Sequence, residues 1–409
     1  MTVEYRPVRA DEFRRFLYND QIGFGGSTAD ENLDFWLEHA LLKPEETLSA
    51  FEDGEPVAQM GTFPLTMRWN GREIGCGGVT SVSTLPSHRR RGHVRELMTR
   101  SFAVMREQDQ PIAMLWASMA AIYQRFGYGV CFTRWRYDFD PRTLRYVDEI
   151  STPGNVRLLK SEDASPLLDA PYRRFAAPRS LMLTRTEEIW RKGVLQPWRK
   201  DMAPFLIAVY EEAGEILGYT IYIVERGAQA GVTRFLNLTV RELVWQTPAA
   251  HRALVNYLAG YDLAASVRIL QLPSDDPLFY MTQEPRELHT DALDGTLVRI
   301  VDVPAALEGR GYDADGCISF AVADDLCPWN AGNWELTVEG GWGRVRRLGT
   351  TDEGALCLNQ RALAMLVSGY TGATQLARLG LVAASDATAL RRADDLFRTA
   401  CSALCLDMF

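Results

Sequence analysis

Apolar and polar positions change rhythm three times along the chain. Up to about residue 145 they predict a helix carrying Phe13 and Phe16, a second helix around 29–42, and a strand at 46–52 that turns at Asp53-Gly54 into a return strand at 56–64. Two strand-to-helix units follow, near 79–98 and 113–126. A polar stretch, Glu149-Ile-Ser-Thr-Pro-Gly-Asn155, marks a boundary. Beyond it the theme repeats, with a hairpin from 205–210 through Ala213-Gly214 to 218–225, a strand at 237–245 and a helix at 249–258. From Asp291 strands are expected at 297–303, 316–324 and 332–338, then amphipathic helices at about 359–368, 372–379 and 385–400. The chain therefore reads as mixed α/β (α+β) in three parts, 1–148, 149–290 and 291–409.

The stretch from Val79 to Met98 carries the most chemistry. Val79, Val82 and the β-branched Thr80 and Thr84 favour an extended strand, Pro86 ends its ladder, and the loop His88-Arg-Arg-Arg-Gly92 runs directly into a helix. Unpaired N–H groups and the positive end of the helix dipole suit a diphosphate. Gly92 lacks the Cβ that would block it, and Arg89, Arg90 and Arg91 would add charge-assisted bonds. Read alone, three arginines ahead of a helix are equally a solvated surface. About thirty residues on, Ala113-Met-Leu-Trp-Ala-Ser118 predicts a second apolar strand, and 119–126 a short helix carrying Tyr123, closed by Gly127-Tyr128-Gly129. Two strands and two helix starts then flank one cleft.

This pairing resembles the GCN5-related N-acetyltransferase (GNAT) family. In that family an Arg or Gln, a Gly three positions on and a Gly or Ala two further cradle the diphosphate of coenzyme A. Arg89 and Gly92 match the first two positions and Val94 departs from the third. The arginine run before Gly92 and the ending Asp407-Met408-Phe409 resemble the Eis-type (enhanced intracellular survival) branch, whose terminal Phe points its free carboxylate into the active site. Tyr123 falls where the family keeps a Tyr general acid. The resemblance implies tandem GNAT domains, the first active and the second degenerate, followed by a sterol carrier protein (SCP)-like antiparallel sheet with helices that delivers Phe409. It implies acetyl-coenzyme A as donor, with the backbone of Val82, Ser83 and Thr84 along the pantetheine. Arg90, Arg91, Gly92, His93, Val94 and Arg95 would take the phosphates, and Ser118 and Met119 would line the second strand. A homohexamer is implied as well. The second part fits a degenerate copy, because Gln246-Thr-Pro-Ala-Ala-His251 stands where a diphosphate loop would follow and has neither an arginine run nor a glycine.

Composition narrows the partners. A length of 409 residues with 47% hydrophobic content is enough for two or three buried cores. No apolar run approaches the ~18 residues that span a bilayer, and Met1-Thr-Val-Glu-Tyr-Arg lacks a signal pattern, so a cytoplasmic protein off the membrane is expected. Seven scattered cysteines without a Cys-x-x-Cys pair point to core filling and no metal; Cys401 and Cys405, one helical turn apart, are at most half a site. A formal charge of -9 argues against nucleic acid. Acidic clusters at Asp30, Glu31 and Asp34, at Glu45 and Glu46, and at Asp201, Glu211 and Glu212 suit a cationic substrate, or are simply solvated surface.

The expected chemistry follows. An amine with a pKa near ~10 is protonated at neutral pH, so its attack on a thioester needs a base. The α-carboxyl of Phe409, ordinarily near ~3.5, serves only if burial raises it or water relays the proton. Tyr123 would protonate or stabilise the departing thiolate, while His88 and His93, on the phosphate side of the loop, have no catalytic part. The expected activity is acetyl-coenzyme A-dependent acetylation of primary amines on multi-amine small molecules such as aminoglycosides. The alternatives are a lysine acetyltransferase acting on protein or peptide, and a lipid-binding or interaction protein working through its third part.

Overall fold

A computed structural model describes residues 3–197, 202–227, 233–349 and 354–409; Asp201, in one of the acidic clusters, lies outside them. The chain forms two compact units, one of residues 1–131, 295–400 and 408–409, the other of 132–294 and 401–407.

The first unit opens with β1 (Val3–Arg6), α1 (Phe13–Phe24), α2 (Asp30–His39), β2 (Thr47–Glu52), β3 (Glu55–Trp69) and β4 (Arg72–Thr84). Next come α3 (His93–Glu107), β5 (Ile112–Trp116), α4 (Ala120–Gln124) and β6 (Gly129–Val130). The β3–β4 turn at Asn70-Gly71 has both φ positive, 48° and 87°, the two-residue hairpin geometry that this dipeptide favours. Helix α1 buries Phe13, Phe16 and Leu17 with Val8, Leu33 and Phe51. Helix α3 buries Leu97, Met98, Phe102 and Met105 against Ala50, Met60 and Leu115. The helix expected at 29–42 stops at His39, and Ala40 is already extended ahead of Lys43-Pro44.

The second unit holds β7 (Thr133–Phe139), β8 (Asn155–Leu159), α5 (Ala164–Ala176), β9 (Leu206–Glu212), β10 (Glu215–Arg226) and β11 (Leu236–Trp245). It continues through α6 (Pro248–Ala259), β12 (Ala264–Leu272), α7 (Pro277–Met281) and β13 (Asp291–Asp294). Its sheet runs β13-β7-β12-β11-β10-β9-β8, and α6 packs Ala250, Leu254, Val255 and Leu258 on it. The hairpin expected at 205–225 is β9–β10.

The chain then returns to the first unit with β14 (Thr296–Ile300), α8 (Val303–Glu308), β15 (Gly316–Ala323), β16 (Gly332–Glu339) and β17 (Trp342–Arg347). It ends its regular structure with β18 (Leu356–Asn359), α9 (Gln360–Val367), α10 (Ala373–Arg378), β19 (Val382–Ala384) and α11 (Ala387–Phe397). A five-stranded sheet, β17-β16-β15-β18-β19, is antiparallel except between β15 and β18.

Three strands lie elsewhere than a linear division implies. β14, expected to open the third part, is in the first sheet, whose order is β1-β2-β3-β4-β5-β14-β6; β7, which falls within 1–148, and β13, which falls within 291–409, are both in the second sheet. Leu297, Val298 and Ile300 are fully buried. Every residue of β14 is buried, Thr296 and Arg299 included, as befits a strand in the interior of a sheet covered on both faces, and β14 takes that place between β5 and β6. Among the described residues no helix is long and apolar enough to cross a membrane.

Candidate active site

The first sheet forks. β4 and β5 pair in parallel at three positions only, Cys76↔Ile112, Gly77↔Ala113 and Gly78↔Met114. Beyond Gly78, β4 continues to Thr84 paired with β3 on one edge, while β5 continues to Trp116 paired with β14. The other edge of 79–84 is left open, and Val82, Ser83 and Thr84 lie along it. A bulge sharpens this departure: Thr80 and Ser83 face Gly61 and Gln59, so β4 carries one extra residue, and Ser81 takes a φ of 52°. The hydroxyl of Ser81 bonds to the carboxyl of Asp20 on α1.

Past Thr84 a short 3-10 turn, Pro86–His88, leads to the arginines, and Gly92 caps α3 with φ 90°. No atom lies within 4 Å of where a Gly92 Cβ would stand. Its carbonyl accepts the N–H of Arg95 and Glu96, so the earlier amides of the first turn have no intrahelical partner. A cavity of about 370 Å³ opens there, lined by Thr84, His88 and every residue from Arg90 to Arg95, with Arg125 and Phe126 from the end of α4. Arg89, exposed, is outside this lining, as are the half-buried Val82 and the buried Ser83; Ser118 and Met119 are outside it too and sit exposed between β5 and α4. The three arginines divide the work. Arg91 donates to Glu52 at 3.1 Å and to the Ser87 carbonyl at 3.1 Å, which fastens the loop. His93 is buried, its Nε2 3.0 Å from the same Glu52 and its Nδ1 3.3 Å from the Tyr5 hydroxyl, so only its backbone amide is offered to the cavity. Arg90 and Arg95 have no protein partner among the described residues. The open turn, free amides and unpaired guanidinium groups fit a diphosphate, and the open strand edge fits an extended amide chain leading from it.

The candidate catalytic groups lie in the same unit. Tyr123 is 6% exposed on α4, its ring edge-on to Tyr128. Burial pushes its hydroxyl up to about 12, so it stays protonated throughout the physiological range. Arg299 on β14 steadies the end of this helix, donating to the Phe126 carbonyl at 2.6 Å and to Asp324 at 2.8 Å. Phe409 reaches the fork itself. Its Cε2 lies 3.1 Å from where a Cβ on Gly78 would be, and its ring meets Phe63 edge-on at 6.2 Å.

Asp20, Glu52, Arg125 and Arg299 are absent from the sequence expectation because a single charged residue in a helix or strand carries no motif. Asp20 is mostly buried, and desolvation raises its carboxyl from 3.8 to about 6. The folded protein therefore binds this proton more tightly than the unfolded chain, and the resulting cost to stability is absent below pH 4 and complete above pH 6. Asp20→Asn is expected to raise Tm at pH 8, by up to roughly 3 kcal/mol of stability, and to leave it unchanged at pH 4. Thermal melts at the two pH values check this; an equal effect at both would show that ionisation is not the cause.

The corresponding strand-to-helix turn of the second unit is closed. Thr247 caps α6 by accepting the Ala250 N–H at 3.1 Å, Pro248 supplies no donor, and His251 is buried 3.2 Å from Asp276. No loop comparable to 86–92 precedes α6.

Comparison with known proteins agrees with this geometry. Residues 4–131 and 181–300 each match an acetyltransferase (GNAT) domain, and residues 303–406 match a sterol carrier protein domain. An uncharacterized N-acetyltransferase of Streptomyces coelicolor is 32% identical over 394 residues, 93% of this chain and 92% of the relative. N-acetyltransferase Eis of Mycobacterium tuberculosis is 29% identical over 328 residues, 78% of this chain and 77% of that protein. The crystal structure of Eis1 from Mycobacterium abscessus superposes with a TM-score of 0.82 at 28% identity, covering 99% of this chain and all of that one. The chain belongs to the Eis-type N-acetyltransferases of the GNAT superfamily, with two GNAT domains and a carboxy-terminal sterol carrier protein domain.

Proposed function

We propose that this N-acetyltransferase acetylates primary amines of multi-amine small molecules such as aminoglycosides, with Tyr123 as proton donor and the α-carboxylate of Phe409 as base. The observation that carries the reading is the place of Phe409, whose ring lies on Gly78, the last residue at which β4 and β5 are paired. Acetyl-coenzyme A supplies a thioester carbonyl and a thiolate leaving group. Arg90, Arg95 and the first amides of α3 hold its phosphates, and the open edge of Val82, Ser83 and Thr84 receives its amide-bearing arm. Phe409 accepts the amine proton at its carboxylate. Tyr123, with a hydroxyl near 12, is a far weaker acid than a thiol at ~8.5, so a complete transfer runs uphill by roughly 5 kcal/mol. Its stronger contribution is a hydrogen bond to sulfur as charge develops there. The formal charge of -9 favours a cationic acceptor.

The acceptor class is tested by mass spectrometry of an aminoglycoside, a polyamine and a lysine peptide, each incubated with enzyme and acetyl-coenzyme A. Several acetyl increments on the aminoglycoside are expected. Acetylation confined to the peptide would move the reading to protein lysines. Deleting Phe409, or adding one glycine after it, should lower kcat by two orders of magnitude or more, within the ~10²- to 10⁴-fold range of general-base effects, and leave coenzyme A affinity unchanged. Full turnover in either variant would remove the carboxylate from the mechanism.

A further inference from the structure

Residues 401–407 form no helix or strand, yet Leu404, Cys405 and Leu406 are almost completely buried in the second unit. Apolar burial is non-directional and by itself leaves a chain end poorly fixed. A buried ionic network supplies the direction. The Arg185 guanidinium, with no exposed surface, donates through Nε to Asp407 Oδ1 at 2.9 Å and through Nη1 and Nη2 to Glu242 at 3.1 and 2.6 Å. It stacks over Tyr172 at 3.9 Å and Trp190 at 4.5 Å. Tyr172 Oη lies 3.2 Å from Asp407 Oδ2, Tyr219 Oη donates to Glu242 at 3.0 Å, and the Leu404 amide donates to the Ser180 carbonyl at 3.1 Å.

Stability alone does not call for this arrangement. Arg185 and Glu242 form one buried ion pair, and Asp407 adds a second buried carboxylate, bonded to Arg185 and also in the field of the buried Arg241. Burial keeps the Asp407 carboxyl above its ordinary range even with Arg185 beside it. Well-packed apolar residues of similar volume usually do as well or better in such a place. What the pair adds is geometry, because a guanidinium fork fixes the distance and plane of its carboxylates. Asp407 is two residues from Phe409, and two residues span at most ~7 Å. With Asp407 held, the end of the chain can explore only a small volume.

We infer that Arg185, oriented by Glu242, clamps Asp407 and thereby acts as a positioning group for the carboxy-terminal Phe409. The inference rests on the proposed role of the Phe409 carboxylate. Asp407→Asn, nearly isosteric, leaves the Arg185–Glu242 pair in place and so keeps the fold. It is expected to lower kcat by on the order of 10- to 100-fold at unchanged coenzyme A affinity, the usual scale for a misplaced catalytic group. The base-side limb of the pH–rate profile should shift as the carboxylate becomes solvated. In a chain already lacking Phe409 the same substitution should cost nothing further, and Asp407→Glu should recover part of the loss. An equal loss with and without Phe409 would overturn the clamp. Carboxypeptidase trimming supplies a readout independent of turnover: release of Phe409 should be slow in the parent and faster in Asp407→Asn, and equal rates would also overturn it. If trimming accelerates but loss of Phe409 leaves kcat intact, the clamp stands and the base assignment fails.

Discussion

Tyr123→Phe is expected to lower kcat by about two to four orders of magnitude, with coenzyme A affinity and Tm close to those of the parent. The ring stays, so its packing on Tyr128 and in the core of the first sheet is kept; only the hydroxyl is lost. The size of the effect follows from burial. For a hydroxyl itself largely shielded from water, a hydrogen bond to a developing thiolate has no ready substitute. A hydroxyl held near 12 is also protonated at every pH where the enzyme can be assayed, so the variant should lose activity by the same factor from pH 6 to pH 9. Steady-state kinetics across that range, with binding titrated separately, checks both points. A loss in KM alone, or none, would leave Tyr123 as a packing residue.

Gly92→Asp is expected to weaken coenzyme A binding by about 100-fold or more, equivalent to roughly 2.7 kcal/mol. Two effects add. A φ of 90° is unfavourable for any residue with a Cβ, with a local cost of about 1–3 kcal/mol, and the new carboxylate would stand at the amides that otherwise meet the diphosphate. Gly92→Ala separates them. Nothing lies within 4 Å of the new methyl, so its effect is backbone strain alone and should be smaller. Arg90→Ala should weaken binding too, whereas the structure assigns the Arg91 side chain to Glu52 and Ser87, and its loss should act by loosening the loop. Calorimetric titration with coenzyme A decides the matter; unchanged affinity in Gly92→Asp would remove the diphosphate site from this loop.

Local rules were sufficient for the strand, proline, arginine run and glycine of residues 79–92, because an extended β-branched run and a glycine that must go left-handed leave traces in adjacent residues. The Asn70-Gly71 turn carried an equally plain hairpin signal that the apolar pattern at 56–64 obscured, since β3 runs on to Trp69. Helix α5 was missed because Pro171 interrupts its pattern. The arginines looked alike in the chain; that Arg91 is the one fastened became visible only with Glu52, which reaches it from a different strand.

The sequence by itself determined the strand-to-helix turn at Gly92, its closed counterpart at Thr247-Pro248, and Tyr123 and Phe409 as the groups to test. These depend on residues next to one another, or on residue type alone. Tertiary structure decided the fork of β4 from β5, the entry of β14 into the first sheet, the raised carboxyl of Asp20 and the buried ion pair of Arg185 with Asp407. Each of these depends on burial or on charges brought together across long separations, 222 residues between Arg185 and Asp407, and no local pattern records which distant side chain will supply the partner.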